Sequence, residues 1–260
     1  MRLIQISDTH LYGNPAQTLL KLNTQQSFDA VVSLLKNDSK KPDIIILTGD
    51  MSQDNSESAY QRTVNAFAEF NCPIYWIPGN HDDPELLHAV FSKSKFKEDK
   101  AIVLGNWLLV LLNSHYPKHV AGLLGRTELS RLDHYLGEHT DKHAMLFLHH
   151  PPVAFGSAWL DKSRLTNPDD LFNIVSKHKH VSAIICGHAH QDYQTHHQGI
   201  PIISAPSTCI QFLPHHHEFS LDTLAPGYRW IELESDGKFK TGVERIKEFN
   251  NTADFSAKGY

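Results

Sequence analysis

The sequence predicts an α/β fold in which two packed sheets carry helices on their outer faces. Up to residue 190, short apolar runs of strand length alternate with longer segments whose apolar residues recur at helical spacing. Beyond residue 190 the helical spacing stops, and short apolar segments follow one another between Gly and Pro turns, which is typical of a β-rich end. Such a chain favours two sheets, because each apolar face has to be covered by another layer.

The first two-thirds of the chain contains the predicted strand–helix units. Apolar runs predict strands at residues 3–6, 43–47, 73–77, 102–104, 107–112, 144–148 and 181–186. Helical spacing predicts helices at residues 24–36, 58–70, 84–92, 127–136 and 168–177. Thr24 and Thr127 are the expected N-caps of their helices, Pro84 suits a first helical turn, and Gly105-Asn106 suits a hairpin turn.

The β-rich end follows without a linker, a repeat or a low-complexity tract. Its predicted strands lie at residues 200–204, 208–212, 217–221, 228–233 and 239–245. We therefore expect a single domain over residues 1–248 and a polar, loosely held C-terminal tail over residues 249–260. No exposed apolar helix stands out in the pattern, which favours a monomer over a dimer.

The composition argues against several classes of protein. Lys and Arg total 24 against 29 Asp and Glu, and the formal net charge of -5 disfavours a broad nucleic-acid-binding surface. The longest apolar runs have strand length, well short of the roughly 18 residues of a membrane span, and the start lacks a signal-peptide core. Three Cys cannot form a disulfide framework and fit a reducing compartment. We expect a cytoplasmic protein that binds neither nucleic acid nor membrane.

Side chains that can bind a metal follow the ends of predicted strands. They occur in five ordered clusters: Asp8-Thr9-His10, Gly49-Asp50, Gly79-Asn80-His81-Asp82, His149-His150 and Gly187-His188-Ala189-His190. Because the carboxyl ends of strands in such sheets gather on one rim, we expect these clusters to converge in space. A single Asp-x-His or a lone His after a strand is more often a surface residue. Five such clusters in order favour a functional site.

The residue types in these clusters agree with one another. Two Asp, one Asn and four His supply carboxylate and amide oxygens and imidazole nitrogens, without a thiolate. This set suits Fe, Mn or Zn and does not suit a Cys-rich structural zinc site. There are enough ligands for two metal ions that share one carboxylate. The glycines before Asp50, Asn80 and His188 are expected to let the chain turn sharply.

The ordered set resembles the calcineurin-like metallophosphoesterase superfamily, whose pattern is D-x-H, G-D, G-N-H-[DE], H and G-H-x-H. Every block is present over residues 1–248, and the resemblance implies a four-layer α/β/β/α sandwich of two mixed sheets flanked by helices. Further segments are similar to the bacterial members that hydrolyse 3′,5′-cyclic AMP. These segments are residues 7–11, 48–54, 148–152, 157–161, 206–212 and 221–229, and the final Gly259-Tyr260.

The resemblance also implies residue roles. Asp8, His10 and His190 would hold a first metal ion, Asp50 would bridge, and Asn80, His149 and His188 would complete the second site. Iron paired with iron or manganese is expected, with zinc as an alternative. A bridging hydroxide would attack the phosphorus of cyclic AMP to give 5′-AMP. His81, the non-ligand catalytic residue, would stabilise the transition state or protonate the leaving oxygen, and Asp54 or Asp82 would orient it. The implied catalytic residues are His81, Asn80 and Asp50, and the implied substrate contacts are His10, Asp50, Asn80, His81, His149 and His190.

Several alternatives stay open at this point. The substrate could be a glycerophosphodiester, a 2′,3′-cyclic nucleotide or a lipid-A precursor, and a metal-bound interaction scaffold is the non-enzyme alternative. Phe212 or Trp159 could stack on adenine, although a core role is equally expected for each. His150 is either a neighbour that supports the metal site or a sterically placed residue. Most other histidines are expected to face solvent, and His215-His216-His217 is expected in a loop.

Overall fold

Two sheets lie face to face in the computed structural model, which describes residues 1–259; Tyr260, the last residue of the predicted tail, lies outside the described residues. The strands are β1 (Arg2–Ile6), β2 (Thr18–Leu19), β3 (Leu22–Asn23), β4 (Ile44–Thr48), β5 (Ile74–Ile77), β6 (Ala101–Leu104), β7 (Trp107–Leu111), β8 (His143–Leu148), β9 (Val181–Cys186), β10 (Gln194–His197), β11 (Ile200–Ser204), β12 (Gln211–Phe212), β13 (Leu221–Asp222), β14 (Gly227–Leu233) and β15 (Phe239–Arg245). The helices are α1 (Thr24–Asn37), α2 (Glu57–Ala66), α3 (Pro84–Phe91), α4 (Arg126–Glu138) and α5 (Pro168–Val175), with a 3₁₀ turn at Leu160–Ser163.

Both sheets are mixed. The first has the strand order β15-β14-β1-β4-β5, in which β1, β4 and β5 are parallel and β14 and β15 are antiparallel additions. The second has the order β10-β11-β9-β8-β7-β6, with a parallel centre and antiparallel edge strands. The β-rich end of the chain therefore completes both sheets, and the hairpin predicted at residues 105–106 joins β6 to β7.

The core forms three apolar layers between four structural layers. Leu3 and Ile46 from the first sheet meet Leu109, Phe147 and Ile185 from the second, and all five are fully buried. Helices α1, α2 and α3 cover the outer face of the first sheet, and α4 and α5 cover that of the second. The predicted α/β/β/α sandwich is confirmed. Strands covered on both faces explain why the sequence shows continuous apolar runs rather than alternation.

Several helix boundaries differ from the prediction. The N-cap of α1 is Asn23, whose side chain accepts a hydrogen bond from the backbone N–H of Gln26 at 2.8 Å, so the assignment to Thr24 is wrong. Helix α4 starts one residue before Thr127, with Gly125 at the N-cap. Helix α2 ends at Ala66, because residues 65–70 tighten into turns with hydrogen bonds between residues three apart.

The predicted strand at residues 208–212 is mostly a loop. Only residues 211–212 pair, with β13. The backbone N–H of Thr208 donates to the carbonyl of Ser7 at 3.2 Å, and that of Cys209 donates to the Ser207 hydroxyl at 2.8 Å. These bonds replace a sheet ladder and attach the segment to the end of β1. The predicted strand at residues 217–221 similarly shortens to the two residues of β13.

No helix within residues 1–259 combines the length and the apolar composition that crossing a bilayer requires.

Candidate metal centre

The five clusters lie where β1, β4, β5, β8 and β9 end. The first three strands are parallel neighbours in one sheet, and the last two are parallel neighbours in the other. Their carboxyl ends meet at the same edge of the sandwich, so side chains as far apart in sequence as Asp8 and His190 come into contact. The predicted convergence is therefore observed, and it spans both sheets.

One group of donors is built from the loops after β1, β4 and β9. Nε2 of His10 lies 3.1 Å from Nε2 of His190. Nε2 of His190 lies 3.4 Å from a carboxylate oxygen of Asp8, and Nε2 of His10 lies 3.8 Å from a carboxylate oxygen of Asp50. All four side chains are buried. These contacts link the four side chains into one buried set of candidate metal ligands.

A second group lies on the other side of Asp50. Nε2 of His149 lies 3.2 Å from Oδ2 of Asp50 and 3.2 Å from Oδ1 of Asn80. The ring of His188 lies 5.2 Å from that of His149, measured between centroids. Asp50 is therefore adjacent to both groups, which is the position of a bridging carboxylate. The structure brings together all seven residues that the sequence predicts as metal ligands.

The outer nitrogens of two site histidines are bonded to backbone carbonyls. Nδ1 of His149 lies 2.7 Å from the carbonyl oxygen of Thr48, and Nδ1 of His190 lies 2.8 Å from that of Ile210. A carbonyl only accepts, so Nδ1 carries the proton in both rings and donates it. Their Nε2 atoms therefore point into the site, where each can bind a metal ion in its unprotonated form. Such an outer hydrogen bond is the usual arrangement of a metal-binding histidine.

The other two site histidines are oriented by side chains that the sequence pattern does not identify. Nδ1 of His10 donates to Oε1 of Gln53 at 2.5 Å, which leaves Nε2 as the binding atom. The hydroxyl of Ser163 donates to the Leu160 carbonyl at 2.8 Å, and so it accepts from Nε2 of His188 at 2.8 Å. That bond leaves Nδ1 of His188 as the binding atom. No motif in the sequence marks these two partners, because the contacts join separate segments.

The donor set fits two metal ions. Nε2 of His10 and Nε2 of His190 both present lone pairs at 3.1 Å, and a cation between them removes their repulsion. Four groups of three His, Cys, Asp or Glu residues have ligand atoms within 4.8 Å of one another, and two of these groups share Asp50. Imidazole, carboxylate and amide donors suit Fe, Mn or Zn.

The neighbouring imidazoles hold the pKa values of the Asp8 and Asp50 carboxyls below their usual range, whereas burial lowers the pKa of the His10 and His188 imidazoles. Burial alone raises the pKa of Asp50, but His149 and the other nearby imidazoles outweigh it and hold that pKa well below its usual range. Burial lowers the pKa of His10 to about 3, against the opposing effect of Asp50. For His149, Asp50 outweighs burial and raises the pKa to about 9. Asp50 thus favours a positive charge next to it, on the side of His149. A bound metal ion would supply such a charge.

The backbone of the site is held in an uncommon conformation. Five site residues that are not glycine have positive φ angles: Asp8 at 56°, His10 at 46°, Asp50 at 54°, His188 at 62° and His190 at 48°. Residues in this left-handed region are usually strained and cluster at functional sites. The turn places the ligand side chains toward one another immediately after each strand.

Two of the three glycines before site residues serve a different purpose from the predicted one. Gly49 has a φ of 96° and permits the expected sharp turn. A Cβ atom on Gly79 would lie 2.1 Å from a carboxylate oxygen of Asp50, and one on Gly187 would lie 2.2 Å from the Ser7 hydroxyl. Glycine is therefore needed at positions 79 and 187 because neighbouring side chains approach the backbone too closely to leave room for a Cβ atom.

His81 lies beside the first group of donors. Its backbone N–H donates to Oδ1 of Asp50 at 2.8 Å, and its ring meets that of His10 edge-on at 5.0 Å. Asp82, one of the two carboxylates expected to orient His81, accepts instead from the backbone N–H groups of Met51, Ser52 and Gly79.

The second expected carboxylate, Asp54, accepts from the backbone N–H of Gly13 at 2.9 Å. Both carboxylates thus hold neighbouring turns in place. His81 itself is half-buried and borders the donor groups, which is where a residue that contacts substrate has to lie.

The aromatic residues proposed to contact adenine belong mainly to the core. The Phe212 ring is buried and stacks on the His190 imidazole at 4.2 Å. It therefore packs against a proposed metal ligand as part of the core. Trp159 packs edge-on against Phe212 at 4.9 Å and is half-buried. The His215-His216-His217 run is exposed in a loop, as expected.

Five of the histidines expected to face solvent are half-buried instead: His115, His139, His143, His178 and His180. Of these, His115 contacts the site, because its Nδ1 atom donates to the Gly79 carbonyl at 2.8 Å. The loop after β7 is thereby attached to the turn that carries Asn80 and His81. Since this contact joins residues 36 positions apart, the sequence pattern contains no local signal for it.

Comparison with known proteins agrees with this geometry. The family model for calcineurin-like phosphoesterases matches residues 1–192. The chain is 36% identical over 261 residues to the 3′,5′-cyclic adenosine monophosphate phosphodiesterase CpdA of Escherichia coli K12, covering 100% of this chain and 95% of that protein. It is 34% identical to the CpdA of Pseudomonas aeruginosa, covering 99% and 94%. The structure of a dimetal phosphatase from Danio rerio has a TM-score of 0.68 at 14% identity, covering 97% and 99%, and shows the shared fold.

The motif blocks, the two donor groups around Asp50 and the full-length similarity agree with one another. The chain belongs to the calcineurin-like phosphoesterase family and, within it, to the group of the CpdA phosphodiesterases.

Proposed function

We propose that this protein hydrolyses 3′,5′-cyclic AMP to 5′-AMP at a dinuclear metal centre and so lowers cellular cyclic AMP. The observation that carries the proposal is the position of Asp50 between two buried donor groups, in a chain whose relatives over the full length are named cyclic AMP phosphodiesterases. Shared carboxylates of this kind serve phosphoryl-transfer sites with paired metals.

The proposed ligands divide around Asp50. The first metal would be held by Asp8, His10, Asp50 and His190, and the second by Asp50, Asn80, His149 and His188. When bound, paired metal ions lower the pKa of the attacking water and neutralise charge that develops on the phosphoryl oxygens. Iron, with iron or manganese as its companion, matches the nitrogen and oxygen donors, and zinc is compatible with them. All the ligands come from one chain, so a monomer suffices.

His81 is proposed to act on the substrate directly. It directly follows the proposed ligand Asn80, and its backbone N–H is fixed by the carboxylate of Asp50. This hydrogen bond places the imidazole at the edge of the donor groups, where the phosphate of a substrate would lie. From there its ring can donate a proton to the departing ribose O3′ or a hydrogen bond to a phosphoryl oxygen.

A hydrolysis panel tests the proposal. The metal-loaded protein would be assayed on 3′,5′-cyclic AMP, 3′,5′-cyclic GMP, 2′,3′-cyclic AMP, a glycerophosphodiester and single-stranded DNA. The expected result is the highest kcat/KM for 3′,5′-cyclic AMP, with 5′-AMP as product. If cyclic AMP were among the slowest substrates, the substrate assignment would be wrong and another phosphodiester would take its place. If no phosphodiester were hydrolysed, an interaction scaffold would be favoured.

A further inference from the structure

His150 is the one buried histidine of the centre that the proposed ligand set does not use. Its ring lies 4.8 Å from that of His149 and 5.0 Å from that of His188, and it can be grouped with both as a candidate ligand. The side chain is fully buried. Whether it binds a metal depends on where its two ring nitrogens point.

Both nitrogens of His150 are bonded to a single loop. Nε2 lies 3.0 Å from the carbonyl oxygen of Val120, so Nε2 carries the proton and donates it. Nδ1 lies 2.8 Å from the hydroxyl of Ser114 and accepts from it. A Cβ atom on Gly122 would lie 2.4 Å from the imidazole, so the ring also packs directly against the backbone there. His150 thus contacts both ends of residues 114–122, hereafter the 114–122 loop.

A separate contact holds this loop beside the proposed catalytic residue. Nδ1 of His115 donates to the carbonyl oxygen of Gly79 at 2.8 Å. Gly79 directly precedes Asn80 and His81 in the turn after β5. The 114–122 loop is therefore attached to the turn that carries Asn80 and His81.

The outer part of the loop offers a flat aromatic and apolar surface, in which His119 and Val120 are exposed and Tyr116 is half-buried. The rings of Tyr116 and His119 stack at 3.9 Å between centroids with an interplanar angle of 21°. The backbone N–H of His119 donates to the Tyr116 carbonyl at 3.0 Å, which closes the turn that carries the pair. Val120 is 60% exposed beside them. Aromatic faces of this kind bind nucleobases by stacking.

We propose that His150 is a positioning residue that holds the 114–122 loop against the metal centre, and that this loop forms the wall contacting the nucleoside of the substrate. The proposal rests on the proposed function, because a nucleoside-containing substrate gives the wall its role. It assigns His150 to substrate affinity rather than to metal binding.

Three variants test the role of His150. His150→Phe removes both hydrogen bonds while keeping a planar ring. We expect KM for cyclic AMP to rise about tenfold, with little change in kcat. A tenfold rise in KM corresponds to the loss of about one stacking contact with the base. KM for bis(4-nitrophenyl) phosphate, which has no nucleoside, should stay close to wild type. His150→Gln keeps an N–H at the position of Nε2 and should restore the lower KM. His197→Phe is the matched control, because that ring stacks on Phe172 away from the centre.

Two readouts are independent of turnover. Hydrogen exchange of residues 114–122 should increase in His150→Phe and not in His150→Gln or His197→Phe. Metal content, measured by elemental analysis, should be unchanged in all three. Loss of metal from both His150 variants would make His150 a ligand and overturn the proposal. Unchanged exchange in His150→Phe, or an equal rise in KM for both substrates, would also overturn it.

Two further variants test the nucleoside wall without changing the buried His150. Tyr116→Ala and His119→Ala remove the stacked pair of the loop without changing His150, and each should raise KM for cyclic AMP but not for bis(4-nitrophenyl) phosphate. Wild-type KM values in both variants would reject the nucleoside wall. If the wild-type protein failed to hydrolyse cyclic AMP, the proposed function and the nucleoside wall would fall. The exchange data would still decide whether His150 holds the loop.

Discussion

Nε2 of His10 and Nε2 of His190 lie 3.1 Å apart although 180 positions separate the two residues in the sequence. Each histidine directs its other nitrogen outward, to Gln53 or to the carbonyl of Ile210, so the two inner lone pairs face each other. Without a cation this arrangement is unfavourable. The fold therefore holds two donors in a geometry that is useful only when a positive charge lies between them.

Replacing His81 separates catalysis from metal binding. We expect His81→Ala to lower kcat for cyclic AMP by roughly 10²- to 10⁴-fold, the usual contribution of a general acid or base, while metal content stays at the wild-type value. Elemental analysis and steady-state kinetics on the same preparation measure both. His88→Ala is the control, because His88 is exposed on α3 and pairs with Glu98. Loss of metal in His81→Ala would identify His81 as a ligand.

Replacing Asp50 should affect both metal sites together. Asp50→Asn keeps the size of the side chain but removes the negative charge that both donor groups share. We expect fewer than one metal ion per chain in place of two, because each site loses its shared carboxylate. Asp222→Asn, on the short strand β13, should leave the metal count unchanged. Two tightly bound metal ions in Asp50→Asn would disprove the bridging role.

Two glycines should respond to Ala in opposite directions. At Gly79 a Cβ atom would collide with Asp50, so Gly79→Ala should destabilise the folded protein by roughly 1–3 kcal/mol. Gly137 lies within α4, where an added Cβ atom would meet no neighbouring segment within 4 Å, so Gly137→Ala should stabilise by about 0.5–1 kcal/mol. Urea unfolding of the metal-free protein compares them. A neutral Gly79→Ala would mean that Asp50 moves aside at little cost.

The partners of the outer nitrogens should tune metal affinity one site at a time. Gln53→Leu releases Nδ1 of His10, and Ser163→Ala releases Nε2 of His188. We expect each change to weaken metal binding by about 10- to 100-fold, the usual effect of losing such a partner. Titration with a competing chelator should show one weakened site in each variant. Ser176→Ala, an exposed position after α5, is the control, and equal affinity in all three proteins would reject this role for Gln53 and Ser163.

Much of the fold was predictable because its strands are apolar on both faces and its helices have regular spacing. The bounds of β9, β11 and β15 match the prediction to the residue. The N-cap of α1 was missed because Asn23 and Thr24 are both good capping residues, and only the hydrogen bond to Gln26 distinguishes them. Apolar residues predict a strand at residues 208–212, because the bonds to Ser7 and Ser207 that hold this segment as a loop leave no trace in apolar periodicity.

The candidate site likewise contains residues that the sequence predicts and residues that it does not. The seven proposed ligands stand directly after strands in short motifs, so local sequence was enough to find them. Gln53, Ser163 and His115 are recognisable only through contacts with residues 43, 25 and 36 positions away. A pattern in one sequence cannot encode such distances. The proposed ligands are therefore easier to predict than the side chains that orient them.

The left-handed backbone at five site residues lowers the stability of the folded protein and so affects its abundance in the cell. Each such position can cost about 1–3 kcal/mol, and glycine would relieve that cost while removing a ligand. The folded chain is thus less stable than a sequence selected only for folding would be. Metal ions that bind only the folded chain counteract this by mass action. The amount of folded protein should therefore follow metal supply, which makes its abundance sensitive to metal starvation.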